Sequence, residues 1–244
     1  MSISIKNKVA LITGANRGIG KAIVESFISH GAKKVYLAVR NPETTKVLEE
    51  QFGDKVVTVQ ADVSDSNSIK RLAEQAKDVE IVVNNAGILA TSSALDEDAE
   101  ETLKRELDVN VFGLLRVAKA FAEILENNKG ALVQLNSVAS IKSFPSLSTY
   151  SASKAASYSL TQALRGELSK KGVNVLSVHP GPISTDMGNQ ANFDESAPAS
   201  VVSEGIVSAL ASGDFHLFPD DLAKQFEAAY QSFADNIVMS DISE

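Results

Sequence analysis

Tyr150 and Lys154 stand four positions apart in the segment YSASK, separated only by serine and alanine. Residues four apart on a helix lie on one face, so a phenol and an amine at this spacing can meet. An unperturbed phenol titrates near ~10 and is a sluggish acid at neutral pH. A cation ~4 Å away, at an effective dielectric of about 20, favours the phenolate by roughly 4 kcal/mol, or about three pK units. Lys154 is therefore expected to bring Tyr150 toward neutrality and make it a proton donor. Any surface helix can carry such a pair, so the rest of the chain must supply something for it to act on.

The segment TGANRGIG, residues 13 to 20, supplies a phosphate cradle, with glycines at 14, 18 and 20 between an apolar strand and an amphipathic helix. Glycine lets the backbone turn tightly against a pyrophosphate, and a helix N-terminus offers free N–H groups and positive dipole character. The spacing is G-x-x-x-G-x-G rather than the G-x-G-x-x-G of most dinucleotide-binding dehydrogenases. The second strand ends LAVR, with Val39 where an NAD-binding protein usually carries an acid for the ribose 2′-hydroxyl, and with Arg40 after it. Arg17, inside the glycine loop, is expected near Arg40. Two guanidiniums without a carboxylate suit a 2′-phosphate, so the expected cofactor is NADP(H).

Six apolar runs position these groups: 9 to 13, 35 to 39, 56 to 60, 81 to 85, 131 to 137 and 173 to 179, with a short seventh at 215 to 218. They are continuous rather than alternating, as strands covered on both faces should be. Helices are expected near 18 to 30, 43 to 52, 66 to 76, 98 to 127 and 148 to 170. The alternation predicts an α/β, Rossmann-like, doubly wound parallel sheet of seven strands with helices on both faces. Asp65 or Ser66 can cap the third helix, and Gly31, Gly130 and Gly172 can end others. No linker divides the chain, so a single catalytic domain over 1–244 is expected. Residues 180 to 200, rich in proline, glycine and small polar residues, are expected to form a loop, with its substrate-binding part at about 186–200.

A chain of 244 residues with 44% hydrophobic and 22% charged residues has the balance of a folded globular protein. The net charge of -8 without a basic block gives no attraction for nucleic acid or an anionic membrane. Zero cysteines exclude disulfides and thiolate chemistry, and three histidines far apart in sequence make a metal site unexpected. The first residues lack a signal-peptide pattern, and no apolar run approaches the ~18 residues of a membrane span. A cytoplasmic protein acting on a small molecule is expected.

The glycine loop, NNAG at 84 to 87, Asn110, Ser137, YSASK and HPGPIST at 179 to 185, in this order, make the sequence resemble the short-chain dehydrogenase/reductase family over nearly its whole length. The resemblance implies a cofactor loop of Gly14, Ala15, Asn16, Arg17, Gly18, Ile19 and Gly20. It further implies Asp62 and Val63 beside the adenine, and Asn84, Ala86 and Gly87 flanking the ribose. Pro180, Gly181, Ile183 and Thr185 match the family's loop for the nicotinamide carboxamide. Asn110, Ser137, Tyr150 and Lys154 match its four catalytic positions, Ser137 lying thirteen residues before Tyr150.

Hydride arriving at a carbonyl carbon builds negative charge on oxygen, which needs a hydrogen bond and then a proton. Ser137 can donate the first and Tyr150 the second. The resemblance adds that Lys154 binds the nicotinamide ribose and that Asn110 holds a water. Ser143, Phe144, Pro145 and Leu147, with Met187, Asn192 and Phe193, are expected to wall a mostly apolar substrate pocket. The implied activity is NADPH-dependent reduction of a small ketone or aldehyde (class EC 1.1.1.-). The alternatives are reduction of a 3-oxoacyl chain on acyl-carrier protein and an NADP-binding regulator without turnover. The tail lacks the YITGQ…VDGG pattern of the family's tetrameric reductases. The long helices at 98 to 127 and 148 to 170 still allow a homodimer or homotetramer, with a monomer as the alternative.

Overall fold

The continuous apolar runs become the strands of a parallel sheet. The computed structural model describes residues 2–191 and 196–240. In chain order it begins β1 (Val9–Thr13), α1 (Gly18–Ser29), β2 (Lys34–Val39), α2 (Lys46–Phe52), β3 (Val56–Gln60), α3 (Ser66–Gln75) and β4 (Ile81–Asn84). It continues with α4 (Ala99–Glu106), α5 (Gly113–Asn128), β5 (Ala131–Leu135), α6 (Ser148–Ser169) and β6 (Asn174–Val178). Two-residue strands β7 (Ile183–Ser184) and β8 (Ala197–Pro198) flank α7 (Asp186–Gln190), and α8 (Ala199–Ser212), β9 (His216–Leu217) and α9 (Asp221–Phe233) complete the chain order. The main sheet has seven parallel strands in the order β3-β2-β1-β4-β5-β6-β9.

Alternate residues of each strand feed two cores, one on each face. Ala10, Ile12, Leu37, Val83 and Val133 pack with Ile23, Val24 and Phe27 of α1 and Ile206 and Leu210 of α8. Val9, Leu11, Val82 and Leu132 pack on the other face with Leu72 of α3, Phe121 and Leu125 of α5 and Tyr158 of α6. Burial on both faces is why these strands read as unbroken apolar runs. Strand order reverses between β1 and β4, which opens a crevice at the carboxyl ends of the strands.

Three expectations need correction. The helix expected over 98 to 127 is interrupted by a π-helical stretch, Leu107–Phe112, which carries Asn110. The expected loop at 180 to 200 contains β7, α7, β8 and the start of α8, because Thr185 Oγ1 caps α7 by accepting from Gly188 N–H at 3.1 Å. Two helices are absent from the sequence reading: α8 packs beside α1 in one core, and α9 packs through Ala223 with Val138 and Phe218. Asp65 caps α3 as expected, accepting from Asn67 N–H at 2.8 Å. No described helix is long and apolar enough to cross a membrane.

Candidate active site

A cleft of about 870 Å³ lies over the carboxyl ends of β1, β2, β4, β5 and β6. Its floor at one end is the loop from β1 into α1. Gly14 has φ +65°, a left-handed conformation that a side chain resists. Gly20 is closer still to its surroundings: a Cβ there would lie 2.2 Å from the Gly14 carbonyl oxygen. The first turn of α1 has neither a side-chain cap nor an acidic residue of its own, so no side chain of that turn occupies its N–H donors. This cradle fits a pyrophosphate. Asn16, Arg17, Gly18 and Ile19 also line it.

Arg40, Asp62 and Val63 line the neighbouring wall. Burial pushes the Asp62 carboxyl up. Hydrogen bonds from the Ser64 hydroxyl and N–H, with the Arg40 and Arg116 guanidiniums, outweigh it and hold the group below its usual range. Val39 is buried at the strand end. Arg17 is less simply placed than the sequence implies: its guanidinium pairs with Asp186 at 3.1 Å, across the cleft at the start of α7. Both side chains are about two-thirds exposed, at 64% and 65%, so the pair contributes little stability.

The segment after β4 also departs from expectation. Asn84 does not reach the cleft, because it lies on the strand itself and is buried. It accepts from Thr13 Oγ1–H at 3.3 Å and donates to Gln134 Oε1 at 2.7 Å. Asn85, Ala86 and Gly87 line the cleft instead. Thr13 Oγ1 accepts the backbone N–H groups of Asn85 and Ala86 at 3.0 and 2.9 Å, which fixes the turn out of the strand.

Ser137, Tyr150 and Lys154 line the cleft together. Ser137 leaves β5 and its hydroxyl accepts from Ala139 N–H at 3.1 Å while pointing its proton at the Pro180 carbonyl, 3.3 Å away. Lys154 Nζ lies 5.7 Å from the centre of the Tyr150 ring and donates to the Leu135 carbonyl at 2.7 Å. The phenol is not brought toward neutrality. Burial pushes Tyr150 up to about 12, against the lowering effect of the Ser137 hydroxyl and with a smaller upward contribution from Glu106. Burial likewise pushes Lys154 down to about 8, with Glu106 opposing. The expectation from Coulomb's law counted a cation ~4 Å from the phenolate and omitted the removal of both groups from water; here burial dominates, and the amine turns to the Leu135 carbonyl.

Asn110 stands behind the cleft rather than on it and is buried. Its Oδ1 accepts Ile88 N–H at 2.9 Å, while Nδ2 donates to the Ile88 carbonyl at 3.0 Å and to Ser153 Oγ at 2.9 Å. It therefore clamps the loop after β4 to α6. At the other end, Pro180, Gly181, Ile183 and Thr185 line the cleft. Phe144, Leu147 and Met187 form an apolar wall there, with Leu89 and Leu222, which the sequence reading did not single out. Phe193 and Asn192 lie outside the described residues.

Two supports were also missed. Asp220, at the N-terminus of α9, accepts Gly181 N–H at 2.7 Å and Ala223 N–H at 3.0 Å, so one carboxylate caps a helix and pins the PGPI turn. His179 is fully buried, bonded to Ser177 Oγ at 2.7 Å and to Ser140 Oγ at 3.0 Å, and its Nδ1 lies 3.3 Å from the Ser137 carbonyl. Burial, with His216 nearby, pushes it down to about 3, so it is neutral. A cap signal before α9 was legible for Asp220; nothing local marks its bond to Gly181.

Comparison with known proteins accounts for this arrangement. The family model described as short chain dehydrogenase matches residues 8–196. An uncharacterized oxidoreductase of Staphylococcus epidermidis is 32% identical over 213 residues, covering 84% of this chain and 92% of the relative. A short chain dehydrogenase from Burkholderia cenocepacia, solved in complex with NADP, superimposes with a TM-score of 0.88 at 30% identity, covering 98% of this chain and 100% of its own. A 3-ketoacyl-(acyl-carrier-protein) reductase from Brucella melitensis, complexed with NADH, has a TM-score of 0.77 at 27% identity, covering 85% and 92%.

Proposed function

Since this chain belongs to the short chain dehydrogenase family, we propose that it is a cytoplasmic, single-domain NADPH-dependent reductase of small neutral ketones or aldehydes. The observation that carries the reading is the joint presence of Ser137, Tyr150 and Lys154 on the cleft that also holds the glycine cradle. The glycine loop and α1 would hold the pyrophosphate, and Lys154 and the turn at Pro180–Thr185 the nicotinamide end. The nicotinamide, when bound, supplies the hydride.

The protein's own residues handle the proton. A phenol pushed up to about 12 keeps its proton throughout neutral pH and yields it only to a strong base. A carbonyl oxygen becomes such a base as negative charge develops on it, so Tyr150 holds the proton until it is needed. Ser137 donates a hydrogen bond to that oxygen without ionising. Lys154, still largely charged below about 8, offsets the tyrosinate that remains. Asn110 keeps the wall of the site in register through Ile88.

Arg17 and Arg40 on the cleft, with buried Val39 in place of an acid, support NADPH over NADH. Phe144, Leu147, Met187 and Leu89 support a neutral, largely apolar substrate. The named activity of the Brucella melitensis protein favours a second reading, reduction of a carrier-bound 3-oxoacyl chain. Assembly through the outer faces of α4, α5 and α6, with Phe112 exposed at the junction of the first two, would give a homodimer or homotetramer.

NADPH oxidation measured against a panel of neutral carbonyls and a 3-oxoacyl thioester tests the reading. Turnover is expected with the carbonyls. Tyr150→Phe should lose ~10²-fold to 10⁴-fold of it while still binding NADPH. Cofactor binding without turnover on any compound would make the protein a regulator, and retained activity in Tyr150→Phe would remove the proton donor.

A further inference from the structure

Glu106, the last residue of α4, is only 1% exposed. A carboxyl so buried is costly unless both oxygens are paired. Only one is. Oε1 accepts Ala90 N–H at 2.8 Å, whereas Oε2 has no hydrogen-bond partner among the described residues. Thr149 Oγ1 is likewise buried without a partner. The hydroxyl is near enough to favour the ionised carboxylate, yet the two atoms do not reach hydrogen-bond geometry. Thr149 directly precedes Tyr150.

The other oxygen reaches the same phenol by a different route. Glu106 grips the loop after β4 at Ala90, and Asn110, four residues further along, grips it at Ile88. Between the two grips Leu89 packs against the cluster of Ala139, Leu147 and Tyr150. Glu106 thus touches one wall of the Tyr150 site through the loop and faces α6 next to Tyr150.

We propose that Glu106 is a positioning residue of the active site, which fixes the loop at 88–90 against Tyr150 and whose gain or loss of a proton sets the charge felt by Tyr150 and Lys154. The proposal rests on the reading of Tyr150 as proton donor. The charged and titratable groups around the carboxyl are Arg105 from its own helix and Lys154 and Tyr150 from α6. Burial raises Glu106 above the ordinary carboxylate range; Ala90 N–H, the Thr149 hydroxyl, Arg105 and Lys154 pull the other way without cancelling it. When ionised, it raises the proton affinity of both Tyr150 and Lys154. When protonated, it removes that influence and gains an O–H to offer Thr149 Oγ1. As pH rises through the Glu106 midpoint, Tyr150 therefore holds its proton more tightly.

The test is NMR of the full chain labelled at the tyrosine ring Cζ, which requires no turnover and so separates this proposal from the reductase reading. The chain has four tyrosines, and the Tyr150 signal is the one missing from Tyr150→Phe. It should shift in a step centred above the ordinary carboxylate range. Glu106→Gln keeps an acceptor for Ala90 and adds a donor for Thr149 but carries no charge, so the step should vanish. In active preparations the same inflection should leave the pH profile of kcat, with KM for NADPH unchanged. If Glu106→Gln fails to fold, Glu106→Asp retains a titrating group and should move the midpoint. A parent protein without the step, a step unchanged in Glu106→Gln, or a midpoint unmoved in Glu106→Asp overturns the proposal.

Discussion

Replacing Lys154 by methionine should stabilise the protein at neutral pH. The amine is buried and makes one hydrogen bond among the described residues, to the Leu135 carbonyl at 2.7 Å. Burial pushes its pKa from the ordinary 10.5 down to about 8, so the charged form costs the fold about 3 kcal/mol at pH 7, at ~1.4 kcal/mol per unit. Methionine has a similar unbranched shape and carries no charge. It forfeits a hydrogen bond worth about 1 kcal/mol and leaves the Leu135 carbonyl unpaired. It also removes a cation that steadies ionised Glu106. The expected net gain is about 1–2 kcal/mol.

The sign follows from proton counts. With its folded pKa depressed, Lys154 destabilises the fold fully below about 8, and that penalty fades as pH rises toward 10.5. Tyr150 works in the opposite sense at higher pH: its raised pKa stabilises the fold below 10, and this is lost as pH passes about 12. Between 8 and 10 only the lysine contribution changes. Urea unfolding of parent and Lys154→Met from pH 6 to 10 should show an advantage for the variant that shrinks above pH 8. Above the range it should become a deficit of about 1 kcal/mol, the value of the lost hydrogen bond. A variant less stable at pH 7, or a difference flat with pH, would refute a charge held at a cost in this site.

Other substitutions probe the rest of the cleft. Gly20→Ala brings a Cβ to 2.2 Å from the Gly14 carbonyl, and the displaced loop should weaken dinucleotide binding ~10-fold or more; unchanged affinity in a fluorescence titration would contradict a cradle built on this approach. Arg40→Ala should weaken NADPH binding by ~10-fold to 100-fold and NADH much less, since a charge-assisted bond to the 2′-phosphate is worth about 1.5–3 kcal/mol; equal losses for both cofactors would remove the arginine from cofactor selection. Asp220→Ala uncaps α9 and frees Gly181 N–H, and denaturant titration should register a loss of about 1–2 kcal/mol. A loss within error would mean that water replaces the carboxylate at little cost.

Much of the scaffold was legible because its physics is local. β1 and β3 occupy the expected residues, and the other main strands differ by one or two positions at their ends, except that the terminal run at 215 to 218 pairs only at His216–Leu217. An apolar run bounded by glycine or polar residues can do little in a parallel sheet except lie between two helix layers. The tail was only partly legible in the same way. α8 begins after Pro198 without a side-chain cap, and its apolar residues follow a stretch that reads as loop. α9 fully buries only Ala223, yet Leu222, Phe226, Tyr230 and Phe233 recur at helical spacing behind the Asp220 cap, so this helix was legible and was missed.

The chemistry divides along the same line. Spacing put Tyr150 and Lys154 on one helix face, and the sequence order brought Ser137 to them, because both depend on neighbours along the chain. Their proton affinities depend on solvent exclusion by residues far away, and there the local estimate had the wrong sign. Asn84 and Asn85 are adjacent amides with different fates, since β4 turns the first into the sheet toward Gln134 and releases the second to the cleft. Glu106 is harder still to find: it closes a run of acidic and basic residues that reads as a solvated helix face. Tertiary packing, of α4 against α6 and of the loop at Ala90, takes that carboxyl out of water. The groups that recognise phosphate and move protons are thus written as motifs, whereas the groups that set their charge are chosen by tertiary burial. A substitution at Glu106 or Asp220 is accordingly expected to alter the site without touching any motif.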